Sequence, residues 1–151
     1  MTHFQDISKH ILQSNSTQGG FMGTLLVIHS ILRWAIVIVG LVVILNALIG
    51  WARAHTYGSR ERGLLSAFSG LMDLQVTIGL LYFLITGFGG AGFPMFRIEH
   101  MVTMLVAAVV AHSPAMFKKA SNRFAVALYA VLGAMILVVI GVALLPGGWS
   151  R

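Results

Sequence analysis

The chain has 151 residues, of which 58% are hydrophobic and only 9% are charged, whereas roughly a quarter of the residues of a soluble domain are charged. This composition excludes an ordinary soluble protein, and the length suits one small bundle without a soluble catalytic domain. The chain lacks cysteine, which excludes disulfide bonds, iron–sulfur ligation and covalent attachment of a c-type haem.

The excess of basic residues gives the chain a formal charge of +6. These residues flank the apolar stretches, and the sequence contains no aromatic-and-basic motif of a nucleic-acid-binding protein. Basic residues in such places orient a membrane protein and contact anionic lipids. The charge therefore predicts a lipid bilayer as the partner and no nucleic acid.

The N-terminal segment, residues 1–22, is predicted to be separate from a membrane domain at 23–151. Phe4, Ile7 and Ile11 recur at helical spacing with polar residues between them, which predicts a short amphipathic helix on the membrane surface. The polar run that follows ends in two glycines and predicts a flexible tether. A disordered tail is the open alternative, and a standard signal peptide is not indicated because no continuous apolar region is present.

The rest of the chain contains four apolar stretches of about the 20 residues needed to cross a bilayer core. They predict an all-α membrane protein, an antiparallel bundle of four transmembrane helices. The stretches are Leu25–Gly50, Leu64–Thr86, Phe96–His112 and Phe124–Leu145.

Short segments bound these stretches. The GFGGAG run at 87–92 predicts a flexible loop, and Pro94 suits the first turn of the third helix because a proline lacks the N–H that has no partner there. Ser113 and Pro114 predict the end of that helix. Ala130 and Ala134 form a small-xxx-small pair that favours close helix contact, and Trp149 is predicted to anchor the chain at the membrane interface.

The charges of the loops predict the orientation of the bundle. Short basic loops stay in the cytoplasm, so the loops at 52–63 and 113–123 are expected there, with both termini outside. Their basic residues are Arg53, Arg60, Arg62, Lys118, Lys119 and Arg123.

Two histidines begin alternate apolar stretches, His29 in the first and His100 in the third. At about 1.5 Å of rise per residue each lies about 6 Å from the start of its stretch, so the two imidazoles are expected at one depth. Two axial imidazoles hold a b-type haem as an electron carrier, and this pair could bind one iron. The alternative is interhelical hydrogen bonding or a place at the interface. His112 lies roughly 18 Å deeper and is predicted to be an interfacial residue rather than a haem or quinone contact.

Charged residues near these histidines suggest partners for the carboxylates of a haem. Arg97 precedes His100 by three residues and shares its helix face, so it is predicted near a propionate. Arg33 follows His29 by four residues within the apolar stretch. A buried charge requires a partner, and Asp73 or a propionate is predicted for Arg33. Asp73 is expected to be structural rather than a proton relay, with Gln75 nearly opposite it and free to bond across helices.

Three of these segments together resemble a family of small bacterial four-helix membrane proteins labelled cytochrome b-like. The family pattern has His-x-x-x-Arg-Trp in helix one, Leu-Gln followed by Gly in helix two, and Glu-His in helix three, and the resemblance covers about residues 24–145. The proline that usually follows Glu-His is Met101 here, which leaves the helix start less sharply defined. The matching residues are His29, Arg33, Trp34, Leu74, Gln75, Gly79, Glu99 and His100.

The resemblance implies haem b on His29 and His100 and a place in the bacterial inner membrane. It favours an electron-transfer subunit of a larger respiratory or photosynthetic complex, with quinone as a further partner, rather than an enzyme acting alone. The alternative is an accessory subunit without a cofactor that stabilises such a complex.

Overall fold

The computed structural model describes the backbone of residues 2–150 and the side chains of residues 19–149. Across those residues the chain is helical and contains no strand. Four helices are long and apolar enough to cross a membrane, which confirms the all-α class and indicates a multi-pass membrane protein. The helices are α1 (Thr2–Ala52), α2 (Ser59–Thr86), α3 (Met95–His112) and α4 (Arg123–Ala143).

The helix boundaries follow local capping chemistry. Pro94 is the N-cap residue of α3, and a 3₁₀ turn at Ser113–Ala115 ends that helix, as the two prolines predict. α2 begins before the apolar stretch does, because the Glu61 carboxylate accepts a hydrogen bond of 2.7 Å from the Gly58 N–H. Such a contact satisfies one of the N–H groups that a helix start leaves open.

The predicted loop at 87–92 is a compact turn. Residues Gly87–Ala91 follow α2 with a break from helical geometry at Gly90, and a hydrogen bond of 3.2 Å from the Gly92 N–H to the Gly87 carbonyl closes the turn. Gly90 and Gly92 adopt positive φ angles of 109° and 66°, which glycine tolerates because it has no Cβ. Gly87 lies against the Phe93 ring, where a side chain would collide. The glycines therefore build a compact turn between α2 and α3.

The helices pack in a ring. The pairs in contact are α1–α2, α2–α3, α3–α4 and α4–α1, so α1 and α3 face each other across the centre. The core is filled by large apolar side chains, and small residues line the contact between α3 and α4. Ala130 and Ala134 are both buried, in keeping with the close helix contact that the small-xxx-small pair predicts. The largest fully buried side chains are Phe68, Ile36, Met72 and Val131.

The N-terminal part of α1 differs from its prediction in one respect. The backbone is helical from Thr2 without interruption, and the glycines at 19 and 20, where a tether is predicted, lie inside the helix. The predicted amphipathic face belongs to side chains at positions 1–18, which lie outside the described residues.

Candidate functional site

The two histidines at the head of the first and third apolar stretches meet inside the bundle. The ring centroids of His29 and His100 are 6.5 Å apart, and the ring planes make an angle of 68°. One ring comes from α1 and the other from α3, the two helices that face each other across the centre of the ring. The structure thus brings together the pair that the matched depths predict.

Helix α2 holds His29 from one side. The Gln75 side-chain amide donates a hydrogen bond of 3.0 Å to the His29 carbonyl oxygen, which confirms the predicted bond across helices. Gly79 lies one turn further along α2, and a Cβ there would be 2.9 Å from Cε1 of His29. This distance is too short for a real contact, so the glycine makes room for the imidazole.

Helix α4 holds His100. Its Nδ1 lies 2.6 Å from the carbonyl oxygen of Gly141, so Nδ1–H donates to that oxygen and Nε2 keeps its lone pair for a ligand. A bond from the second ring nitrogen to a backbone carbonyl is the usual way in which a metal-binding histidine is oriented. The side chain of Glu99, which precedes His100 in the chain, is exposed.

The role of Gly141 was not predicted from the sequence. Its absent side chain allows the Met104 methyl group and Thr103 to lie directly against the α4 backbone, and this close approach brings the Gly141 carbonyl to His100. The sequence does contain one indication of this role, a single glycine in a run of β-branched residues. Glycine in a membrane helix often marks a close helix contact.

A cavity of about 440 Å³ opens beside the two rings, within the range of about 300–1,000 Å³ that is usual for small-molecule and cofactor sites. Nδ1 of His29 and Oε1 of Gln75 are buried beside it without a hydrogen-bond partner in the described part of the chain. A buried polar atom without a partner is costly, so each of these two atoms is open to a hydrogen bond from water or from a ligand in the cavity. The other lining residues are mostly apolar, among them Met72, Leu80, Met104, Val138 and Val142.

Arg97, which is predicted to lie near a propionate, lines the same cavity. Its guanidinium donates a hydrogen bond of 3.0 Å to the Gly92 carbonyl and a second, short one to the Thr86 hydroxyl. It also lies 5.4 Å from the centroid of the Phe83 ring. These contacts, which the sequence analysis did not predict, fix the cation at the end of the cavity beside the turn between α2 and α3.

Arg33 is buried, with 8% of its surface exposed, and it faces the cavity as predicted. Its guanidinium lies 5.2 Å from the centroid of the Trp149 ring and 5.8 Å from that of Trp34. Cation–π contacts of this kind stabilise a charge that is removed from water. Trp149, which is predicted to anchor the chain at the interface, packs against Trp34 with ring centroids 5.8 Å apart.

The predicted ion pair between Arg33 and Asp73 is wrong. Both carboxylate oxygens of Asp73 bond to Nε2 of His112, at 2.8 and 2.9 Å, and more than half of the Asp73 side chain is exposed. Gln75 faces the interior, and two residues of helix turn a side chain by about 200°. Asp73 therefore faces away from the interior of the bundle, whereas Arg33 faces into it.

Among the described residues no third His, Asp or Glu side chain converges with His29 and His100. Two imidazoles are too few for a structural zinc site, which takes four protein ligands. They suffice for a haem, because the porphyrin supplies the remaining bonds and the protein supplies only the axial ones.

Comparison with known proteins adds no family name. No family model, no curated protein and no solved structure matches the chain. The resemblance to the cytochrome b-like family stays a prediction from the sequence. The fold and the site define a class only, a multi-pass helical membrane protein with a two-histidine cavity between its helices.

Proposed function

We propose that this chain is a membrane-embedded electron-transfer subunit that holds one b-type haem between His29 and His100. The observation that carries the proposal is the 6.5 Å between their ring centroids. Metal–imidazole bonds are about 2 Å long, so His29 and His100 would be close enough to hold one haem iron between them.

Each contact around the rings has a role in this proposal. The Gly141 carbonyl fixes the tautomer of His100, while Gln75 and Gly79 position His29. The apolar lining suits a macrocycle, and the cations of Arg33 and Arg97 would neutralise its carboxylates. A haem bound by two imidazoles supplies reversible one-electron chemistry with no vacant position for oxygen.

The proposal includes an antiparallel bundle. On α1 and α2 the contacts run in opposite directions, since Gly79 meets His29 while Phe68 lies by Gly40. On α3 and α4 the same is true, with His100 at Gly141 and Val110 at Gly133. These contacts support four spans of alternating direction.

The basic loops support an orientation with both termini outside the bacterial inner membrane, which places the two histidines near the outer face. The sequence resemblance supports a place in a larger respiratory or photosynthetic complex, with quinone as a further partner.

A second candidate is an accessory subunit without a cofactor. In its favour, hydrogen bonds already join the helices at this site, from Gln75 to the His29 carbonyl and from His100 to the Gly141 carbonyl. Bonds of this kind hold membrane helices together. The cavity of about 440 Å³ beside the two rings favours the cofactor over this alternative.

An optical spectrum tests the proposal. The full chain is purified from its native membrane together with its partners. The contribution of this chain to the absorption spectrum is then measured before and after reduction. We expect a Soret band and a reversible change on reduction. A chain without a Soret band of its own would eliminate the haem and leave the accessory subunit.

A further inference from the structure

Beyond α4 the backbone makes a tight turn and folds back against the bundle. A hydrogen bond of 2.9 Å from the Gly148 N–H to the Leu145 carbonyl closes this turn. Gly147 and Gly148 adopt positive φ angles of 86° and 41°, which favour glycine because it has no Cβ. Residues 145–149, here named the C-terminal strap, therefore owe their reversed direction to two neighbouring glycines.

The C-terminal strap joins α4 to α1 beside the inner cavity. Leu145 and Gly148 both line that cavity, and a Cβ on Gly148 would lie only 3.6 Å from the Val142 carbonyl oxygen of α4. On the other side, the Trp149 ring packs on Trp34 of α1, with ring centroids 5.8 Å apart. The strap is therefore part of the wall of the cavity.

Trp149 brings an aromatic ring to the buried cation of α1. Arg33 lines the cavity, and its guanidinium lies 5.2 Å from the Trp149 ring centroid, closer than the 5.8 Å to its chain neighbour Trp34. The face of an aromatic ring attracts a cation, and the attraction is stronger where water is removed. The ring holds the guanidinium without adding a full negative charge of its own.

The second cation of the cavity is held by a similar arrangement. Arg97 bonds to the Gly92 carbonyl and the Thr86 hydroxyl and lies beside the Phe83 ring, all of them in or next to the turn between α2 and α3. Each arginine is thus fixed by a neighbouring turn that contains glycine. A charge that is fixed in advance acts on a ligand without a cost of reorganisation.

We propose that Trp149 is a positioning residue, through which the C-terminal strap holds the Arg33 cation toward the ligand of the inner cavity. The proposal rests on the proposed function, in which that ligand is haem. A cation held near a haem favours the reduced form, because that form carries one positive charge less. Trp149 would therefore affect both the reduction potential and the affinity of the haem, although it is not an iron ligand.

The midpoint potential of the haem tests this role. Trp149→Leu is expected to lower the potential and to weaken haem binding about three- to tenfold, whereas Trp149→Phe keeps an aromatic ring and is expected to retain most of both. The matched control is Trp51→Leu, because Trp51 packs on Tyr129 near the other end of α1, and this variant is expected to match the wild type. A wild-type potential and affinity in Trp149→Leu would overturn the proposal.

A double-mutant cycle shows whether Trp149 acts through Arg33. In an Arg33→Gln background, Trp149→Leu is expected to leave the potential unchanged, because the cation that it positions is absent. An equal fall of the potential in both backgrounds would mean that Trp149 only shields the cavity from water, and would overturn the proposal.

The same cycle on the unfolding equilibrium of the full chain in detergent, before haem is added, separates this proposal from the proposed function. Trp149→Leu is expected to lower the folding equilibrium constant about three- to tenfold when Arg33 is present, and by less in the Arg33→Gln background. A wild-type chain that takes up no haem refutes the proposed function, and the coupling still supports the hold of Trp149 on Arg33. Absence of coupling refutes that hold, whether or not haem binds.

Discussion

The chain contains two histidine sites that differ in one respect above all, the direction in which they face. His29 and His100 meet inside the bundle, with ring centroids 6.5 Å apart, beside a cavity. His112 points outward and bonds to Asp73 on the surface. Both sites join different helices, and the inner one lies beside space for a ligand. The same residue type therefore serves different purposes according to the face of the helix that carries it.

The largest expected effect separates the two sites by haem content. His29→Ala and His100→Ala each remove one axial ligand, and each variant is expected to lose the bound haem spectrum essentially completely. His112→Ala is the matched control and is expected to keep it, because His112 is roughly 18 Å from His100 along α3. The measurement is the Soret absorbance per mole of chain. Equal loss in all three variants would show that the outer site is as necessary as the inner one.

A smaller effect is expected at the glycine that makes room for the inner site. Gly79→Val places carbon atoms where the His29 ring lies, and haem affinity is expected to fall about 10–100-fold, as for other changes that misplace a ligand. Gly63→Val is the control on the same helix, where a Cβ meets nothing within 4 Å. Haem titration into the apo chain measures both. Similar affinities for the two variants would mean that His29 does not need the space.

Removal of the hydrogen bond between Gln75 and the His29 carbonyl tests how much α2 contributes to the stability of the inner site. Gln75→Leu removes it, and the free energy of unfolding in detergent is expected to fall by about 1 kcal/mol. Thr77→Val is the control, because the Thr77 hydroxyl bonds within its own helix to the Asp73 carbonyl. We expect the control to change stability by less than about 0.5 kcal/mol. A larger loss in Thr77→Val than in Gln75→Leu would contradict this assignment.

The smallest effect concerns the outer pair, and two double-mutant cycles measure it. Asp73→Asn with His112→Gln is expected to show a coupling energy of about 0.5–1 kcal/mol in the unfolding equilibrium. Asp73→Asn with Arg33→Gln is expected to show no coupling energy, because Arg33 faces the interior of the bundle and Asp73 faces outward. Coupling in the second cycle and not in the first would contradict the structure and favour an ion pair between Arg33 and Asp73.

Much of the fold follows from the sequence, because hydrocarbon imposes a simple rule. A spanning segment must satisfy its backbone internally and must be apolar along about 20 residues. Helices α3 and α4 therefore begin and end within two residues of their apolar stretches, and Pro94 and Pro114 bound α3 as predicted. The glycine turn at 87–91 was not predictable in this way, because glycine is equally typical of loops and of tight helical turns.

The central site was predictable in depth but not in detail. Counting residues from the helix starts places His29 and His100 at one level, since the rise of a helix is constant. The direction of a side chain around its helix depends on which neighbour the helix meets. Arg33 was expected to face inward and does so, whereas Asp73 was expected to face inward with it and instead faces outward.

What the sequence alone determined is a chain of four apolar helices with two histidines at one depth, since length, hydropathy and helical rise are local properties. Only the tertiary structure decided the partners. It placed the Gly141 carbonyl on His100, the two tryptophans around Arg33, and His112 on Asp73. These contacts join residues far apart in the chain, and they depend on the rotation of each helix against the next. That rotation is set by the packing of all four helices together, which no single stretch of sequence encodes.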